Sequence, residues 1–341
     1  MKIQSAVGAG IAGIVLIGVA VAVLGGADDP DDKIRVAFFP NIGHAIPIVG
    51  TEQGFFSYEL TLVETRVFDS GPQAVESLFA NSIDMAYVGP GPAVNGFLKS
   101  NSDVIILAGA ASGGSSFIVH PDSGIETASD LHHKVIAAPQ IANTQDVSMR
   151  TWLAANDLKT AERGGTVLTL NVANPEIYTL FMKGDIDAAW IPEPWATMLV
   201  KELDGKRLFF EEELWNDNRF ASVLLVARAD FVSEHPDLVE QWLADHEKTV
   251  SWINENPDNA KLIFNDFMAR EFRTIFSEGI VDESFENIEI TSDPIEESIA
   301  IFAQRSESLG YLGRDGYNLE GIFYDNIDVN SQELEEFPWL S

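Results

Sequence analysis

One plan is written twice along this chain. Arg35-Val36-Ala37-Phe38-Phe39-Pro40-Asn41-Ile42-Gly43-His44-Ala45 is answered by Lys134-Val135-Ile136-Ala137-Ala138-Pro139-Gln140-Ile141-Ala142-Asn143-Thr144. Further on, Ile83-Asp84-Met85-Ala86-Tyr87-Val88-Gly89-Pro90-Gly91-Pro92-Ala93 is answered by Ile186-Asp187-Ala188-Ala189-Trp190-Ile191-Pro192-Glu193-Pro194-Trp195-Ala196. Each block is a short apolar strand that enters a Pro/Gly-rich turn and then a helix. Between the blocks of each half lies another such unit, at 60–68 with Ser70-Gly71-Pro72 and at 166–173 with Asn174-Pro175. A chain built this way is expected to fold as an α/β protein of two lobes. Open α/β sheets receive ligands beyond the C-terminal ends of their strands, so a ligand is expected between the lobes.

Charge narrows the function. The chain has 53 acidic and 21 basic residues among 341, a formal net charge of -32. Phosphate-rich nucleic acid would be repelled by it. The acidic residues are spread out and fit a solvated surface in a salty medium, where screening shortens electrostatic reach. With no cysteine there is no disulfide, thiolate nucleophile, Cys-ligated metal or lipid-modified N-terminal cysteine. Residues 3–27 carry no charge, follow Lys2 and precede Asp28-Asp29-Pro30-Asp31-Asp32. About 20 apolar residues cross a bilayer, with the positive flank inside. A retained N-terminal membrane anchor is therefore expected, followed by an acidic linker and an extracytoplasmic remainder. The rival is a signal cleaved near Gly25-Gly26-Ala27, although signal cores run to about 7–15 residues.

The pattern places strands at 34–39, 60–68, 85–88 and 104–111, with helices at 44–53, 73–81 and 92–99 between them. Gly113-Gly114-Ser115-Ser116 leads straight into a strand at 117–120, which suits a crossover and a hinge. Strands follow at 135–138 and 167–172, with helices at 144–156 and from Asn174-Pro175 to Lys183-Gly184. A buried strand at 220–228 returns to the first lobe. Helices at 236–254, 257–272, 282–286 and 294–309 then form a covering layer. The expected domains are 1–32, a first lobe of 33–112 plus 220–341, and a second lobe of 113–219.

The candidate site is a ring of helix N-termini at strand ends. Their unpaired N–H groups and dipoles hold anions without a formal charge, and the turns themselves lack Lys and Arg. From the first half come Asn41, His44, Ser70, Gly71, Pro90 and Gly91; from the second, Ser115, Asn143, Thr144, Gln145, Trp190, Glu193 and Trp195. Plainer readings stand beside these. Asn143 and Asp146 can form a capping box, Gly71 and Gly91 can shape turns, and His44, Trp190 and Trp195 can be packed side chains. Glu193 would repel an anion, or pair with a cation on the same ligand. No G-x-S-x-G elbow, H-E-x-x-H helix, Walker loop or post-strand G-x-G-x-x-G occurs, so no enzyme is expected. His132-His133 are adjacent residues on a polar turn and make poor co-ligands without carboxylates placed around them, so no metal is expected, nor any cofactor.

With these residues in view, the chain resembles the periplasmic-type substrate-binding proteins of ABC importers, within the nitrate/sulfonate/taurine group. Phe39-Pro40-Asn41-Ile42-Gly43-His44-Ala45 is similar to that group's F-P-N-hydrophobic-T-H-A stretch, with Gly43 in place of threonine. The segment from Ala138 to Val147 is similar to its A-T-P-Q-x-x-N-T-Q-D-V, Ala189 to Ala196 to its W-V-P-E-P-W-A, and Gly109 to Ser115 to its G-A-A-S-G-G. The resemblance spans about residue 33 to the C-terminus. It implies a two-lobed type II periplasmic-binding-protein-like fold, a hinge, and an oxyanion headgroup in the cleft. An aliphatic sulfonate is the first expectation, or taurine if Glu193 meets an amine. Nitrate, bicarbonate and the pyrimidine precursor of thiamine are the alternatives, the last disfavoured because its carriers show a cysteine-rich motif. A menaquinone-pathway lyase of the same fold is disfavoured by export and by the missing acid/base pairs. The implied partners are a permease and an ATPase, the binding protein itself being a monomer.

Overall fold

Apolar residues run unbroken through 85–88, 135–138 and 188–192, as expected for strands covered on both faces of a sheet. The structure, a computed structural model, describes residues 16–17, 32–59, 61–68, 70–100, 103–312 and 316–324. The chain begins β1 (Leu16–Ile17), β2 (Asp32–Phe38), α1 (Ala45–Glu52), β3 (Thr61–Val67), α2 (Gly71–Phe79), β4 (Met85–Val88), α3 (Pro90–Lys99) and β5 (Val104–Gly113). It continues through β6 (Ser115–Val119), β7 (Val135–Ala138), α4 (Thr144–Ala155), β8 (Leu168–Asn171), α5 (Asn174–Lys183), β9 (Ala188–Pro192), α6 (Trp195–Leu203) and β10 (Lys206–Phe210). Last come β11 (Ala221–Arg228), α7 (Ala229–Glu234), α8 (Pro236–Glu255), α9 (Pro257–Phe272), α10 (Glu278–Glu286), β12 (Ile288–Ile290) and α11 (Glu296–Ser308).

The two sheets have one topology. The first is ordered β1-β3-β2-β4-β11-β5-β12 and the second β10-β6-β9-β7-β8. In the first, β2 lies parallel between β3 and β4, and β11 enters antiparallel between β4 and β5. In the second, β7 lies parallel between β8 and β9, and β6 enters antiparallel between β9 and β10. The chain therefore crosses between sheets twice, at β5–β6 and at β10–β11. Gly113 and Gly114 take φ of +74° and +75° at the first crossing, a conformation that glycine adopts at little cost.

Strand alternation sorts the core into layers. Along β4, Met85 and Tyr87 join one apolar cluster, while Ala86 and Val88 join the other. Along β9, Ala188 and Trp190 face one cluster, and Ala189 and Ile191 the opposite one. The repeat extends to hydrogen bonds. Asp84 Oδ2 accepts from the Arg35 N–H, and Asp187 Oδ2 from the Val135 N–H, each at 2.8 Å. Register pairs Val36 with Met85 and Ile136 with Ala188. The true equivalence is thus Val36 with Ile136, one residue off the sequence echo, because the turns after β2 and β7 differ in length.

Most expected elements form within a few residues of their places. Four short ones were not expected: β1, β10, α7 and β12. The last adds a strand to the C-terminal layer, which is otherwise helical as expected, since β12 pairs with β5 at Gly113, Ser112 and Ala111. That layer also reaches the second half: Tyr311 donates to Asp146 at 2.7 Å, and Arg163 donates to the Leu309 carbonyl. The expected anchor at 3–27 lies outside the described residues except for Leu16–Ile17, which pair antiparallel with Arg66 and Thr65. Among the described residues, no helix is long and apolar enough to cross a membrane.

Candidate ligand-binding site

The parallel strands of both sheets end on one cavity of about 250 Å3. The turns after β2, β3 and β4 reach it from the first half, and those after β7, β8 and β9 from the second. Five of those turns open an α-helix directly; the turn after β2 does so through a 3-10 turn at Ile42–His44. Backbone N–H groups of a helix's first turn have no intrahelical acceptor, and their dipoles favour negative charge. The N-cap residues Ser70, Gly89, Ala173 and Pro194 make no side-chain cap hydrogen bond.

Of the expected residues, Asn41, His44 and Ser70 line the cavity from the first half; Ser115, Asn143, Thr144, Gln145, Glu193 and Trp195 line it from the second. Four others do not. A Cβ at Gly71 would overlap the Pro92 ring, so this glycine lets α2 and α3 meet. Pro90 and Gly91 sit at the junction of the halves, where a Cβ on Gly91 would come 3.2 Å from the Ala142 carbonyl. Trp190 is a core residue: strand alternation turns it inward against Phe117, Trp152 and Phe209, and its Nε1 donates to Glu211 at 2.6 Å.

Capping explains part of the Asn143 turn, since Asn143 Oδ1 accepts from the Thr144 N–H at 2.9 Å. Asp146 reaches back to the Ala142 N–H rather than to Asn143, and it also binds Arg150, Asn171 and Tyr311. Gln145 donates to Ser115 Oγ at 3.1 Å, which fixes two lining side chains against each other.

Glu193 lines the cavity, but its carboxylate is already engaged by protein groups. It is buried, and its carboxylate accepts from the Thr197 N–H and hydroxyl, Arg207, Ser284 and Asn287. Burial raises its pKa, opposed by Asn287, Thr197 and Arg207. Ser284 and Asn287 come from the C-terminal layer, so this network ties α6 and β10 to α10.

Among the described residues, no lysine or arginine lines the cavity. His44 is neutral, its pKa pushed down by burial to about 3. The polar groups on offer are uncharged, and several lack a protein partner: His44 Nδ1, Ser70 Oγ and Ser222 Oγ from the first half, and Thr144 Oγ1 and Asn174 Oδ1 from the second. Buried polar groups are nearly always hydrogen-bonded, so this concentration marks a place built to receive polar atoms. Ser222, Asn174 and Gln140 were missed by sequence reasoning. Ser222 hides in an apolar strand, while Asn174 reads in the sequence only as the start of a helix.

At the junction, a Cβ on Gly89 would overlap Thr144 Oγ1. The halves touch there, over the cavity. Among the described residues no group of three or more His, Cys, Asp or Glu is placed to hold a metal.

Residues 27–265 match the model of the NMT1-like family. The taurine-binding periplasmic protein of Escherichia coli (strain K12) is 30% identical over 200 residues, 58% of this chain and 59% of that protein. A putative aliphatic sulfonates-binding protein of Bacillus subtilis (strain 168) is 24% identical over 253 residues, 73% of each chain. Among solved structures, the alkanesulfonate-binding protein SsuA from Xanthomonas axonopodis pv. citri, bound to MOPS, superposes with a TM-score of 0.69 at 16% identity, covering 85% of this chain and 96% of that one. The periplasmic nitrate-binding protein NrtA from Synechocystis PCC 6803 gives 0.67 at 17%, covering 84% of each. The fold is thus the two-lobed fold of periplasmic binding proteins, and these relatives are binding proteins, not enzymes.

Proposed function

We propose, from the premise that this chain belongs to the NMT1-like family and is a solute-binding protein, that its cleft holds a small organic anion through a sulfonate headgroup. One observation carries the reading: unpartnered buried polar side chains from both halves converge with helix N-termini on one cavity that, among the described residues, has no lysine or arginine. An oxyanion satisfies several hydroxyl and N–H donors at once, and helix N-termini bind such groups without a cation. The names of the taurine- and sulfonate-binding relatives support the choice of headgroup.

The lobes are 33–112 with 220–341, and 113–219, moving about the Gly113-Gly114 and 211–220 crossings. The protein works outside the cytoplasm as a monomer, tethered by residues 3–27, and passes its ligand to the permease of an ABC importer driven by a separate ATPase. A thermal-shift series of the full chain with ethanesulfonate, nitrate, bicarbonate and a pyrimidine tests the ligand. At about 100 times its dissociation constant, a bound ligand adds roughly 2.7 kcal/mol of stability. A shift with ethanesulfonate is expected; a shift with nitrate or the pyrimidine alone overturns the sulfonate reading. N-terminal sequencing of the native protein tests the tether, with a start near Met1 expected and a start near Asp28 against it.

A further inference from the structure

Resting on the reading of the cleft as an anion site, we infer that it selects anions whose remainder is uncharged, and that Asn174 sets this preference. Glu193 is the only carboxylate among the described residues that line the cavity. A ligand carrying both a sulfonate and an ammonium would need it as counter-charge. Its two oxygens are already taken: Oε1 accepts from Asn287 at 2.8 Å, the Thr197 hydroxyl at 3.0 Å and Arg207 at 3.1 Å. Oε2 accepts from the Thr197 N–H at 2.9 Å and Ser284 at 3.3 Å. A carboxylate offers about four lone-pair sites, so five donors leave no room for a sixth, and Arg207 already balances the charge.

What remains for the far end of the ligand is neutral. Asn174 opens α5 with its Oδ1 buried and without a protein partner, in the same lining as Trp195, Pro139 and Pro175. A carboxamide oxygen accepts a hydrogen bond from a hydroxyl, and the ring and prolines accept an alkyl chain. None of them carries the negative charge that would balance an ammonium, and a charge buried without a charged partner is disfavoured. Alkyl and hydroxyalkyl sulfonates therefore bind in preference to aminoalkyl ones.

Calorimetric titration of the full chain with ethanesulfonate, 2-hydroxyethanesulfonate and taurine tests this. The first two should bind at least tenfold more tightly than taurine. Asn174→Asp keeps the side chain's shape, suits a helix's first turn and places a carboxylate beside the tail. It should improve taurine relative to ethanesulfonate by at least tenfold. Equal or tighter binding of taurine by the native protein overturns the inference and leaves the anion reading standing, as does an unchanged ratio in Asn174→Asp. Absence of binding by all three overturns the sulfonate reading and the inference together.

Discussion

Asp84 and Asp187 do the same work in the two halves. Each precedes the third parallel strand of its sheet, accepts an N–H from the neighbouring strand, and pairs with a basic side chain: Arg35 and Arg228 for Asp84, Lys134 for Asp187. At the opposite ends of those strands the halves part company. Gly89-Pro90-Gly91-Pro92 is small enough for the other half to approach it closely, whereas Pro192-Glu193-Pro194-Trp195 carries a buried carboxylate network and a half-buried ring. Strand ends remote from the cleft therefore preserve the repeat because they hold the sheets. Ends facing the cleft have diverged, one half giving close approach and sparse hydroxyls, the other a wall fixed by its own hydrogen bonds.

The sharpest separation of fold from binding is expected at Asp84. Replacing it by Ala leaves Arg35 and Arg228 beside an emptied buried site, at a cost of about 3–5 kcal/mol of stability. Ligand affinity at a temperature where the variant is folded should be unchanged; denaturant melts and calorimetry measure the two. Asp187, more exposed with its lysine, should cost about 1 kcal/mol on replacement. A fall in affinity with either variant would break the division between the two ends.

Gly89→Val reverses that pattern. Its φ of -74° suits any residue, so the first half should stay folded, but the added side chain would occupy the place of Thr144 Oγ1. Affinity should fall about a hundredfold, roughly 2.7 kcal/mol, with little change in melting temperature. Normal binding would mean that the contact between the halves plays no part in capture. Ser70→Ala and Thr144→Val remove one hydroxyl from each side and should each weaken binding about tenfold, near 1.4 kcal/mol. Loss from only one side would make the site the property of that half.

The smallest effect concerns the seam. Glu212 lies 3.4 Å from where a Gly113 Cβ would be; burial, with Glu211, Glu213 and Glu193 nearby, pushes its pKa up from 4.5 to about 7. The folded state thus holds this proton more tightly than the unfolded chain does. Stability should decline as pH rises from 4.5 through 7, and Glu212→Gln should remove that decline. The variant should exceed the native protein by on the order of 1 kcal/mol at pH 8 and match it below 4.5, as melts across that range would show.

Sequence alone carried the elements whose signal is local. Unbroken apolar runs such as Met85–Val88 mark strands buried on both faces, and Pro72, Pro92 and Pro175 mark helix starts. It carried less where a partner far along the chain decides. β12 has three residues and exists because β5 is there to pair with it. β10 reads Lys-Arg-Leu-Phe-Phe, an edge strand with mixed exposure. Glu193 looked like a ligand group because Ser284 and Asn287, which occupy it, lie 91 and 94 residues downstream. Trp190 and Ser222 turn on parity: one residue of register decides whether a side chain faces core or cleft.

A crystal structure with ethanesulfonate bound would test the shared cleft most directly. The sulfonate oxygens are expected within hydrogen-bonding distance of His44 or Ser70 from one half and of Thr144 from the other, with no lysine or arginine in contact. A sulfonate held by one half alone, or paired with a basic side chain, would contradict a site built jointly from neutral donors.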